Sequence, residues 1–191
     1  MQQRDAMQVL RECVSDDDVV ILGIGSPNID WLALGQRELN FSIFAAMGLA
    51  QSFGLGMALA QPNRRVLVME GDGGVLMSLG AIASAAEQAP PNFKHFVFMN
   101  RSFGATGNQP LPNAMHLDLA AAARAMGANG CHITSMDELQ RQAAHLIREP
   151  GYVVVSIETD QGVLRDFPPA MHPPLPIQQR ARFLRAMGLE Q

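Results

Sequence analysis

Short apolar, β-branched runs alternate along this chain with longer segments rich in Ala and Leu. Val19–Leu22, Val66–Met69, Phe96–Met99 and Val153–Ile157 are almost wholly apolar, and each meets a Gly, Asn or Asp within three residues of its end. Strands that are apolar on both faces belong in a parallel sheet covered by helices. Phe41–Phe44 and Cys131–Ile133 are shorter runs of the same kind. Between them the pattern predicts helices over Gln3–Val14, Gly48–Ala60, Val75–Gln88, Leu117–Met126 and Asp137–Arg148. Ser135 and Asp137 both suit the start of the last of these, with Glu138 in its first turn. Pro90-Pro91 and Pro150-Gly151 mark the ends of two helices. The predicted fold is α/β, a three-layer α/β/α arrangement around a doubly wound, mostly parallel sheet.

The domain is expected to occupy residues 1–161. From Gly162 the pattern changes, and Pro168, Pro169, Pro173, Pro174 and Pro176 predict an extended connector. A short helix over Ile177–Met187 closes the chain. Arg180, Arg182 and Arg185 beside Phe183, Leu184 and Met187 make it amphipathic, suited to clamp the domain or a partner.

Composition narrows the possible functions. The chain has 191 residues, of which 48% are hydrophobic and 17% charged, enough for one domain with a substantial core. A net charge of −4 without a basic cluster disfavours nucleic acid as a partner. No window approaches the roughly 20 apolar residues a membrane span needs, and the first residues lack a signal pattern. Cys13 and Cys131 form no motif. A cytoplasmic protein is expected.

The candidate chemistry begins at Val66. A buried strand runs into Gly71-Asp72-Gly73-Gly74, and a helix follows. Glycines at such a turn let an anion approach the backbone, where the helix N-terminus offers free N–H groups. Asp72 would repel a phosphate unless a cation lay between them. One crossover later Asn100 ends the strand Phe96–Met99, so both residues are expected at the carboxyl edge of parallel strands, where open α/β sheets bind ligands. A carboxylate and an amide oxygen are hard donors suited to Mg²⁺ that shares its shell with phosphate oxygens.

Gly71-Asp72-Gly73 followed by Asn100-Arg-Ser-Phe-Gly104 resembles the signature of thiamine diphosphate (ThDP) enzymes. The resemblance implies that Asp72, Asn100 and the main-chain oxygen of Ser102 bind Mg²⁺. It also implies that Gly71, Gly73, Gly74, Phe103, Gly104 and Ala105 contact the cofactor. Met99 stands where many members have a further Asn, and Arg101 is atypical and able to approach a phosphate. The run from Phe44 through Ala60 looks like the family's approach to the Gly-Asp-Gly strand. It implies that Met47 wedges the cofactor into a bent shape and that the Ala45 carbonyl accepts a hydrogen bond from its aminopyrimidine. Gly25, Ser26 and Asn28 hold the place of contacts to the diphosphate.

Within the family, Ala-Met-Gly-Leu-Ala at 46–50, Phe103-Gly-Ala-Thr-Gly-Asn-Gln-Pro110 and Asp118-Leu-Ala resemble the β subunits of sulfopyruvate decarboxylase and the related phosphonopyruvate decarboxylases. The substrate implied is a small 2-oxo acid. Its anionic end needs cationic partners, for which His116, Arg101 and His172 are candidates, and His116 is also a candidate proton carrier. In the family a glutamate from a second, pyrimidine-binding domain activates the cofactor. Glu70, Glu87 and Glu158 are not at that position, so a separate α subunit is expected, in an α₂β₂ or larger assembly. Three other readings stand beside this one, the third a non-enzymatic interaction subunit that keeps the fold without its chemistry. A carboligase or oxidoreductase subunit keeps the cofactor, although two cysteines without a cluster motif disfavour the latter. A Rossmann-like nucleotide module rests on Gly23-Ile-Gly25, which lacks the third glycine.

Overall fold

Six strands form a single parallel sheet in the computed structural model, which describes residues 1–162 and 176–189. In chain order they are β1 (Val19–Leu22), β2 (Asn40–Ser42), β3 (Val66–Gly71), β4 (Phe93–Met99), β7 (Asn129–Ile133) and β8 (Val153–Glu158). Their spatial order is β2-β1-β3-β4-β8-β7, and every pairing in the sheet is parallel. Two short strands, β5 (Ser102–Phe103) and β6 (Gln109–Pro110), form a separate antiparallel hairpin.

Alternation along the strands divides the core. Val19, Ile21, Val66, Val68, Val97 and Met99 face one side, against α3 (Ala50–Ala60), α5 (Ala81–Gln88) and α6 (Leu119–Ala125). Val20, Leu22, Leu67, Met69, Phe96 and Phe98 face the other, against α1 (Gln3–Cys13), α2 (Ser26–Ala33) and α7 (Met136–Arg148). Both faces of the sheet are therefore covered, which is why its strands read as continuous apolar runs.

The segment predicted as one helix over Val75–Gln88 forms two, α4 (Asp72–Met77) and α5, separated at residues 78–80. Ser78 and Gly80 are weak helix formers at that break. The third helix begins at Ala50 because Gly48 has φ +86, outside the helical region. The strand predicted at Phe41–Phe44 runs over Asn40–Ser42, since pairing with β1 ends at Ser42. Strand β4 starts earlier than its apolar pattern suggested, because Lys94 and His95 are buried within it. Lys94 donates to the carbonyls of Glu149 and Gly151, which satisfies its ammonium beneath the surface. Of the two expected caps of α7, Ser135 takes the role, its side chain accepting from the Glu138 N–H.

The proline-rich connector lies mostly outside the described residues, with His172. The last helix, α8 (Pro176–Ala186), rests on the domain itself. Gln179 is buried and its amide accepts from Ser42 N–H (2.9 Å) and donates to Ser42 C=O (3.0 Å). It thus completes the outer edge of β2 as another strand would. Phe183 packs edge-on to Phe41, ring centres 5.0 Å apart. Gln179→Ala leaves both Ser42 groups buried without partners and is expected to cost about 1–3 kcal/mol. Thermal and urea unfolding would measure it, and an unchanged stability would show that α8 contributes nothing to the edge.

Candidate cofactor site

The chain leaves β1 toward β2 on one side and reaches β3 and β4 on the other, so the crossovers part between β1 and β3. Open α/β sheets bind ligands in the crevice that this reversal leaves at the carboxyl edge. A cavity of about 190 Å³ lies there, walled by residues 24–27 after β1, 71–74 after β3, Met47, Asn100 and 102–106 after β4.

Asp72 is only 1% exposed. Its Oδ1 accepts from Gly73 N–H (2.8 Å) and its Oδ2 from Arg101 N–H (2.6 Å). Burial pushes its carboxyl up to about 6, and the two N–H bonds oppose that shift. Asn100 lies at the tip of the neighbouring strand, its Oδ1 accepting from Ser102 N–H (3.0 Å). The Arg101 amide therefore ties the two strand tips together. Carboxylate, amide oxygen and the Ser102 main-chain oxygen make an all-oxygen donor set that fits a hard divalent cation.

Gly73 is required by close approach. A Cβ there would lie 2.9 Å from Phe103 Cε1 and 3.1 Å from Met47 Cε. Met47 and Phe103 thus meet over the turn as an apolar wall. Gly25, with φ +104, turns the chain into α2 and brings Ser26 to the cavity; the Ser26 hydroxyl donates to Gln3 Oε1 (3.2 Å).

Gly25, Ser26, Met47, Gly71, Asp72, Gly73, Gly74, Asn100, Ser102, Phe103, Gly104 and Ala105 all line this one cavity. Four other candidates stand apart from it. Asn28 is buried, with its side-chain oxygen accepting from the Ser42 hydroxyl (2.9 Å), so it braces α2 against β2. His116 is exposed in a 3-10 turn, Ala114–His116, and is not among the cavity's walls. The Arg101 guanidinium binds Glu158 and the carbonyls of Ala114 and Leu117 and is not among the cavity's walls. Ala45 is exposed two residues before Met47 and has φ +52, a left-handed conformation that costs a non-glycine residue about 1–2 kcal/mol.

Sequence reading passed over Ile24, Pro27 and Thr106, which also line the cavity. It also passed over a buried pair beneath the turn. Glu70 and His95 are 2% and 0% exposed, with Oε2 and Nε2 3.3 Å apart. Their signal was Glu70 at the end of an otherwise apolar strand and His95, beside Lys94, at the start of the next.

Residues 23–157 match the family described as thiamine pyrophosphate enzyme, C-terminal TPP binding domain. The chain belongs to that family. It is 36% identical over 145 residues to a protein named sulfopyruvate decarboxylase subunit beta from Methanothermobacter thermautotrophicus, covering 76% of each chain. It is 36% identical over 149 residues to a phosphonopyruvate decarboxylase from Streptomyces viridochromogenes, covering 78% of this chain and 37% of that one. The fold matches benzoylformate decarboxylase from Polynucleobacter necessarius with a TM-score of 0.67 at 21% identity, over 85% of this chain. The chain spans about a third of that solved chain (34%).

Proposed function

We propose that this chain is the diphosphate-binding subunit of a ThDP- and Mg²⁺-dependent 2-oxo acid decarboxylase, acting on a sulfopyruvate- or phosphonopyruvate-like substrate. The observation that carries this reading is a buried carboxylate and an amide oxygen on adjacent strand tips, walling one cavity at the sheet's switch point. Bound ThDP would supply electron withdrawal from the carbon that loses CO₂. Asp72, Asn100 and the Ser102 carbonyl would hold Mg²⁺, with phosphate oxygens filling its shell. Ser26 and the first turn of α2 would meet the diphosphate. Met47 and Phe103 would shape the bend and exclude water, and the Ala45 carbonyl would accept from the aminopyrimidine.

A separate pyrimidine-binding α subunit completes the site in this reading, in an α₂β₂ or larger cytoplasmic assembly. Three observations support it. Asp72 is the one carboxylate that lines the cavity among the described residues. The cavity is also smaller than the roughly 300–1,000 Å³ of a complete ligand pocket. The relative named "subunit beta" is matched over three quarters of its length. His116 is kept as a proton carrier only where that partner folds the 111–117 loop over the substrate.

The test is to purify the native complex, identify the bound chain and follow CO₂ release from sulfopyruvate, phosphonopyruvate and simple 2-oxo acids. ThDP-dependent release is expected from the complex and not from this chain alone. Full activity from this chain alone would overturn the two-subunit reading. Carboligation products without net CO₂ release would favour the ligase reading.

A further inference from the structure

Arg101 is fastened to two elements beside the cofactor cavity while its main chain serves a third. Its guanidinium grips Glu158 at the end of β8 as a fork, Nε lying 3.3 Å from Oε2 while Nη2 meets Oε1. Its Nη1 donates to the carbonyls of Ala114 and Leu117, the latter at 3.3 Å. His132 Nε2 lies 3.5 Å from the same Oε1, and its Nδ1 lies 2.7 Å from Ser156 Oγ. The Arg101 backbone has φ +60, where L side chains are strained, and from there its N–H reaches Asp72 Oδ2.

We propose that Arg101 is a positioning residue: its anchor on Glu158 and the loop carbonyls holds its backbone in the left-handed conformation that lays the N–H on Asp72. The inference rests on the assignment of Asp72 as a metal ligand. A strained conformation persists where its surroundings over-determine it, and a bidentate Arg–carboxylate fork is rigid enough to do so. Metal-binding carboxylates in turn depend on outer hydrogen bonds that fix the direction of their lone pairs. Without the Arg101 N–H, Asp72 keeps only the bond from Gly73 and is free to turn. The same anchor fastens the 111–117 segment next to the cavity, so loop order and metal geometry share one support.

Glycine separates the two roles, because it adopts φ +60 without any anchor. Arg101→Ala, Arg101→Gly and Glu158→Ala would be compared in the full chain, with its copurified partner if one is found. The readouts are the Mg²⁺ concentration for half-maximal ThDP binding and amide hydrogen exchange across residues 101–118. Arg101→Ala and Glu158→Ala are expected to raise the Mg²⁺ requirement by about 10-fold and to speed exchange in the loop. Arg101→Gly is expected to loosen the loop equally yet keep the Mg²⁺ requirement within about threefold of wild type. An Arg101→Gly protein as impaired for Mg²⁺ as Arg101→Ala would overturn the proposal, as would unchanged loop exchange in Glu158→Ala. A wild-type complex with its partner subunit that binds no ThDP with Mg²⁺ would instead sink the functional reading, while loop exchange in Glu158→Ala would still judge the anchor.

Discussion

Asp72→Asn is expected to lower Mg²⁺-dependent affinity for ThDP by at least about 100-fold, and at the same time to make the metal-free chain more stable at pH 7. Both effects come from one buried carboxylate. In the unfolded chain it titrates near 3.8, and burial in the folded chain raises that to about 6. Between those values the folded state carries the extra proton. The stability this group contributes is therefore complete below pH 3.8 and is lost as the pH rises through about 6. At neutral pH the ionised carboxylate opposes folding by up to about 3 kcal/mol. Asparagine removes the charge but keeps only one of the two acceptors that the Gly73 and Arg101 N–H groups use, so the net recovery should be about 1 kcal/mol.

Mg²⁺ and a proton compete for the same oxygens, so wild-type cofactor binding should weaken about tenfold per pH unit below pH 6. Titration calorimetry and thermal melts between pH 5 and 8, with and without Mg²⁺, would measure all three effects. A variant that binds the cofactor as tightly as wild type would remove Asp72 from the metal site. A less stable metal-free variant would show that the carboxylate serves the fold and not the ligand.

The second large effect lies one layer below. His95→Ala opens a cavity in the core and leaves the Glu70 carboxyl group without its polar neighbour, at an expected cost of about 2–5 kcal/mol. Glu70 sits between the two turns of the site. A Cβ on Gly23 would lie 2.9 Å from its Cγ, and one on Gly74 would lie 2.7 Å from its Oε1. Its side chain fills the space that separates the turn after β1 from the start of α4, so a shift there moves both walls of the cavity. Adding Glu70→Gln to the His95→Ala protein replaces the buried carboxyl group by an amide of the same shape and should recover about 1–3 kcal/mol. Chemical denaturation of the two single variants and the double variant closes the cycle. Strict additivity would mean that the pair is uncoupled despite its 3.3 Å separation.

Much of this site was legible in the chain because its geometry is local. Gly71, Asp72, Gly73 and Gly74 are consecutive, and the strand before them is apolar on both faces, so the turn's place at the sheet edge follows from pattern alone. Asn100 follows from the next strand in the same way. The position of Asn28 did not reveal its partner, because that partner is Ser42, a residue on another strand. Arg101 beside Asn100 suggested a phosphate contact, yet its side chain is claimed by Glu158, which is 57 residues away in sequence. The break between α4 and α5 was missed because Ser78 and Gly80 weaken a helix without forbidding one.

Alternating burial, strand-to-helix turns and the spacing of one crossover are short-range properties, and they determined the layered fold, the parallel sheet and the Gly-Asp-Gly turn with its Asn. Only the tertiary structure decided that Glu70 and His95 share a buried space, that Gln179 closes the edge of β2, and that Arg101 turns away from the cavity. Each of these depends on which side chain reaches a polar group first across distant parts of the chain. That competition is settled by packing geometry, since a buried donor or acceptor takes whichever partner the fold brings within about 3 Å.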